Sequence, residues 1–199
     1  MRSLSFPFSF ALLVAGIALA QTPAGFVPEV ADKLEIVFGT KTVETPGASL
    51  EKTDTANQPT IGTSDAPLTG PSYLWMMIDI DVPTNFQNPS TGGRQTNLHS
   101  LLTGFTPSTT NPEEGGIYTL TPPSSSSDGS AVVPYVGPAP PAENPPYPHR
   151  YVSLLYETED GFMVQREQVG QTLGFDLSLF VEKVGLGTPV RAGYFNVTG

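Results

Sequence analysis

The chain has 199 residues, with 9 basic and 19 acidic side chains, a formal net charge of −10 and no cysteine. That balance opposes binding to nucleic acid or to anionic membrane surfaces, and the lack of thiols excludes disulfides and thiol catalysis. Only 14% of residues are charged, while 20 glycines and 21 prolines favour strands and turns over long helices.

Residues 1–20 have the pattern of a secretory leader: Arg2, an apolar run from Phe6 to Leu19, and Ala18-Leu19-Ala20 as a small-residue cleavage site. Cleavage there would release a secreted, extracellular protein starting at Gln21. Its 179 residues, with 8 basic against 19 acidic side chains and so a charge of −11, are enough for a single domain over residues 21–199. No second stretch of spanning length follows, so no integral membrane segment is expected once the leader is gone.

Leu34 to Gly39 reads as a first strand, Pro46-Gly47 as a turn, and Pro59-Thr60-Ile61 as a short strand. The run Tyr73-Leu74-Trp75-Met76-Met77-Ile78 is apolar without interruption, which predicts a strand buried on both faces. It leads into Asp79-Ile80-Asp81-Val82-Pro83. On a regular strand, Asp79 and Asp81 share one face and reach the rim of a cavity together. The alternative role for these acids is local, since Asp readily bonds its own backbone at a corner.

The only two histidines, His99 and His149, each head an apolar run. His149 and Tyr151 fall on one face of their strand, and Arg150 on the other, which predicts that Arg150 pairs with a buried carboxylate. Thr106 to Ser130, with Ser124-Ser125-Ser126-Ser127, reads as a surface loop open to O-glycosylation. Pro134 to Pro148 holds seven prolines and predicts extended backbone. Phe175 to Glu182 is the best helix candidate, with Asp176 as N-cap, and Val190 to Val197 reads as a last strand. Asn196-Val197-Thr198 is the glycosylation sequon, with Asn196 as acceptor. These segments, separated by turn clusters, predict a mostly β fold.

Four segments occur in order: Asp79-Ile80-Asp81-Val82-Pro83, Leu98-His99-Ser100-Leu101-Leu102, Tyr135-Val136-Gly137-Pro138-Ala139-Pro140-Pro141 and Pro148-His149-Arg150-Tyr151-Val152. Together they resemble the signature of the phosphatidylethanolamine-binding protein (PEBP) family, in a secreted, fungal-like form. The resemblance implies a β-sandwich of two antiparallel sheets with minor helices, and a cis bond at Val82–Pro83. It further implies a small anion-binding cavity lined by Asp79, His99, His149 and Tyr151, with Asp81 and Pro83 at its edge. The chain departs from the family at Asn97-Leu98, where a Trp-His pair is usual, at Ile80, where proline is usual, and in an insertion from Glu143 to Pro148.

Two carboxylates, two imidazoles and a tyrosine suit a small anion or a zwitterionic head group, with the histidines held charged by the nearby acid. No nucleophile motif accompanies them, so no catalytic residue, cofactor or metal is assigned. The expected function is non-catalytic binding of a small anionic or phospholipid head-group ligand. The alternative, implied by the resemblance, is inhibition of a serine carboxypeptidase through protein contact. Below both stands a hydrolase or metal site built on the Asp/His cluster.

Overall fold

The computed structural model describes residues 20–110, 112, 116–123 and 131–199. The expected leader up to residue 19 and the Ser124–Ser127 stretch lie outside these residues. The elements in chain order are β1 (Glu35–Phe38), β2 (Lys41–Thr42), β3 (Ala48–Leu50), β4 (Thr60–Thr63), β5 (Ser72–Pro83), β6 (Arg94–Pro107), β7 (Tyr118–Thr121), β8 (Ala131–Val133), β9 (Pro148–Thr158), α1 (Arg166–Val169), α2 (Leu177–Val184) and β10 (Arg191–Thr198).

β5 is the spine, and its sequence explains why. From Ser72 to Asp79 every residue is buried. Tyr73, Trp75 and Met77 join Leu34, Ile36, Phe38, Tyr151 and Phe195 in one apolar cluster. Leu74, Met76 and Ile78 join Leu101, Val152, Leu154 and Phe180 in another. Alternation with period two thus feeds two cores from one unbroken apolar run. α2 closes the second core through Phe180, which lies 5.4 Å from Phe175 between ring centroids. Asp176 caps this helix, its side chain accepting from the Leu179 N–H at 2.9 Å. Gly185 ends it in the left-handed region, at φ 73°, where a residue without Cβ is favoured.

The expected pair of sheets is corrected to a single curled one. Its strand order is β2-β1-β4-β7-β6-β5-β9-β10-β3, with β8 pairing β6 off this path. The physical reason is β6. It runs from Arg94 to Pro107, beyond both ends of the apolar run that His99 heads, so its far end still pairs β7 after leaving β5. That link is thin, consisting of Thr106 opposite Thr121 and Pro107 opposite Leu120. The sheet is antiparallel throughout except where β3 joins β10 in parallel.

The Val82–Pro83 expectation is also corrected. Among the described residues the cis bonds are Val27–Pro28 and Asn144–Pro145. β5 makes no sharp corner after its acids: Pro83 still sits opposite Arg94, and the chain reverses over residues 84–93.

Candidate anion-binding site

The candidate residues gather where β5, β6 and β9 end together, and two bulges shape the place. Met77 pairs Ser100 while Ile78 pairs Leu98, so His99 is an extra residue in β6. Asp79 pairs Asn97 while Val82 pairs Gln95, so β5 carries an extra residue around Asp81. Bulges of this kind interrupt the ladder and re-aim side chains. The Asp81 N–H accordingly donates to Asp79 Oδ1 at 2.8 Å. Asp79 therefore fills the local role weighed for these acids.

The two acids do not share a partner. Asp79 Oδ2 lies 2.8 Å from His149 Nδ1, with both side chains buried. Asp81 accepts from the Arg150 guanidinium at 2.7 Å through both Nε and Nη2, and from the Arg150 backbone N–H at 2.9 Å. This is the buried carboxylate expected for Arg150. The split follows from β9, whose adjacent residues His149 and Arg150 point to opposite faces.

Three residues that sequence reasoning did not assign complete the site. Glu143 reaches in from the proline-rich stretch with a side chain 1% exposed, and its Oε1 lies 3.3 Å from His149 Nε2. Arg94 holds the same carboxylate two-pronged, Nη1 to Oε1 at 2.7 Å and Nη2 to Oε2 at 2.8 Å. Its Nη1 also donates to the Asp81 carbonyl at 3.1 Å. Tyr147 lies under the Arg94 guanidinium, 4.0 Å from its ring centroid, in cation–π geometry. Glu143 did leave a trace in the sequence, as the single charged residue between Pro134 and Pro148.

The Tyr-Val-Gly segment builds the opposite wall. The Tyr135 hydroxyl donates to the Thr55 carbonyl at 2.6 Å. A side chain at Gly137 would meet that same carbonyl at 2.9 Å, so only glycine fits so close an approach. Val136 is thereby fixed beside His99: its N–H donates to the His99 carbonyl, and its carbonyl lies 2.9 Å from His99 Nδ1. The His99 ring meets the Tyr151 ring edge-on at 5.2 Å. The Tyr151 hydroxyl is buried near Asp79 but outside hydrogen-bond geometry, with no partner among the described residues. Pro83 is buried at the end of β5. Asn196 is half-buried in β10, its side-chain amide donating to the Gly47 carbonyl at 2.9 Å.

Electrostatics divides the two histidines. Burial opposes charge on His149, but the hydrogen bond and charge of Asp79, with Glu143 beyond, outweigh it and hold its pKa above the usual 6.5. Burial dominates at His99 and holds its pKa below 6.5, against the expectation that both rings are charged. The Arg94 hydrogen bonds keep the Glu143 carboxyl below its ordinary range. Burial, with the Asp79 charge, pushes the Tyr151 hydroxyl well above its ordinary value, so it is a donor at neutral pH. Among the described residues, no group of three or more His, Asp or Glu side chains is arranged to hold a metal ion. No helix among them is long and apolar enough to cross a membrane.

A curled, mostly β sheet gathers acids and imidazoles towards the ends of three strands, and similarity to known proteins names its family. Residues 40–195 match the phosphatidylethanolamine-binding protein family, and the chain belongs to that family. A protein of Talaromyces stipitatus, phomoidride biosynthesis cluster protein N, is 28% identical over 207 aligned residues, covering 96% of each chain. Among solved structures, the fold is similar to that of carboxypeptidase Y inhibitor complexed with the cognate proteinase. That likeness has a TM-score of 0.58 at 17% identity and covers 85% of this chain and 84% of that one. It is also similar to the phosphatidylethanolamine-binding protein from Plasmodium vivax, with a TM-score of 0.52 at 17% identity, covering 83% and 86%. At such identities the likeness is one of fold.

Proposed function

We propose that this protein is a non-catalytic binding protein that holds a small oxyanion, either a free anion or a phospholipid head group, at the ends of β5, β6 and β9. Asp79, His99, His149 and Tyr151 form the pocket, with Asp81 and Pro83 at its edge. The observation that carries this reading is the convergence of Arg94 and the His149 ring on one carboxylate, at 2.7–3.3 Å. A planar guanidinium fork beside a cationic ring is suited to a group with two or more acceptor oxygens. The Tyr151 hydroxyl adds a buried donor that no described residue satisfies.

The His149 imidazole is not placed to activate a nucleophile. His149 has a carboxylate at each nitrogen, so neither is open to a nucleophile, which favours binding over turnover at this ring. In this reading residues 1–20 are a cleaved leader, and residues 21–199 act as one domain outside the cell.

Calorimetric titration of the full chain with inorganic phosphate, acetate and phosphoethanolamine tests the reading. We expect saturable binding to at least one, weakened roughly ten- to a hundredfold by Arg94→Met, because a hydrogen bond to a charged group contributes about 1.5–3 kcal/mol. If none of the three binds and the protein instead inhibits a serine carboxypeptidase, the inhibitor reading replaces this one.

A further inference from the structure

We propose that Glu143 is a tethered stand-in for the ligand: an external oxyanion binds by displacing its carboxylate from Arg94 and His149, and residues 142–147 form the strap that swings to let it in. This rests on the anion-binding reading above and adds Arg94, Glu143 and Tyr147 to the binding machinery.

Burial is the first reason. Ala142 and residues 144–148 are exposed, yet the Glu143 side chain between them is 1% exposed. An exposed loop that sends one carboxylate inward holds it there by specific contacts and not by an apolar core.

Occupancy is the second. Both Arg94 terminal nitrogens and His149 Nε2 are taken up by Glu143. The remaining His149 nitrogen is held by Asp79, Arg150 is spent on Asp81, and His99 is kept neutral by burial. An incoming anion therefore finds a charged donor only where Glu143 leaves one. With Glu143 seated, three acids (Asp79, Asp81, Glu143) balance three cations (Arg94, Arg150, His149). With it gone, the deficit is one negative charge, which a carboxylate or a phosphate ester restores.

The strap is also built to move. Pro145 and Pro146 lack an N–H, and the one hydrogen bond from strap backbone among the described residues runs from Asn144 N–H to Ser90 Oγ at 3.0 Å. The bond from the Tyr147 hydroxyl to Asp81 is long, at 3.4 Å. Both ends are fixed: Gly199 approaches the backbone at Pro141 and Ala142 too closely for a side chain, and Pro148 opens β9 opposite Thr198. Few buried contacts over a short segment between fixed ends make opening a local, low-cost event.

A tethered competitor lowers apparent affinity by the fraction of time the site is vacant. Seating for nine-tenths to ninety-nine hundredths of the time corresponds to a loss of about ten- to a hundredfold. Acetate, inorganic phosphate and phosphoethanolamine are titrated into wild type, Glu143→Ala, Glu143→Gln and the double variant Glu143→Ala/Arg94→Met. Glu143→Ala should tighten binding about ten- to a hundredfold, and the double variant should cancel the gain, since Arg94 is the anion's partner. Should Glu143→Ala not fold, Glu143→Gln keeps the size and is expected to tighten binding in the same direction. Preference for phosphoethanolamine over phosphate assigns the freed site to a head group, and equal affinities assign it to the free anion. Equal affinities of wild type and both single variants overturn the strap and leave the anion site standing. No binding to any of the four proteins removes both.

Discussion

His99 and His149 are the only histidines in the chain, one the sixth residue of β6 and the other the second residue of β9, and folding shifts their pKa values in opposite directions. His149 sits between two carboxylates, Asp79 at Nδ1 and Glu143 at Nε2. His99 has a carbonyl at Nδ1 and an aromatic edge beside it. Burial opposes the charged form of both rings, and only His149, with carboxylates within hydrogen-bond reach of its nitrogens, has its pKa raised in spite of it. The candidate site therefore has a charged wall, of His149, Arg94 and three carboxylates, and a less polar wall of His99, Tyr151 and Val136.

The strongest way to break this contrast is Asp79→Ala. It strands the buried His149 ring and the Asp81 N–H at once, and removing one partner of a buried pair costs about 3–5 kcal/mol. Chemical denaturation should show this loss, and NMR should show His149 titrating below 6.5 like His99. Asp81→Ala should cost less, about 1.5–3 kcal/mol, because the abandoned Arg150 side chain is 36% exposed and water can solvate it.

A pH series sharpens the comparison, because the two histidines contribute to stability in opposite pH windows. The pKa of His149 is raised on folding, so its contribution is complete below about 6.5 and fades as pH rises through the folded value. That of His99 is lowered, so its contribution is complete above about 6.5 and fades as pH falls through the folded value. The Glu143 value is lowered too, and its contribution fades further down, below the ordinary carboxyl range. Stability should therefore fall on both sides of mildly acid pH. A curve that rises steadily to alkaline pH would contradict the charged His149.

The smallest effect expected is at His99→Asn. The amide can replace the Nδ1 donor to the Val136 carbonyl, so the change should cost under about 1 kcal/mol and shift anion affinity little. A loss as large as that of Arg94→Met would put His99 on the charged wall.

Several parts of this arrangement are legible in the chain alone. The unbroken run through Tyr73 to Ile78 announces a strand buried on both faces, and Asp176 announces the cap of α2. Arg150 is legible as a pairing residue because strand alternation sets it opposite His149. Other parts are not legible. β7 hides in a Ser/Thr/Pro-rich loop, because four residues are too few for a periodic signal. The contact of Arg94 with Glu143 spans 49 positions, across a proline-rich stretch that reads only as extended backbone.

Sequence by itself determined the mostly β class, the identity of β5 as the spine and the chemistry of Asp79, Asp81, His99, His149 and Tyr151, because these follow from local pattern and residue type. Tertiary structure decided how those groups are shared out. Adjacent positions on β9 gave Asp79 to His149 and Asp81 to Arg150, the length of β6 joined the sheet into one, and the surroundings of the two histidines shifted their pKa values in opposite directions. A pKa depends on which charges lie within a few ångströms after folding: Asp79 raises that of His149 most, and Glu143, which adds to it, comes from a separate, proline-rich segment that only the fold brings to Arg94 and His149.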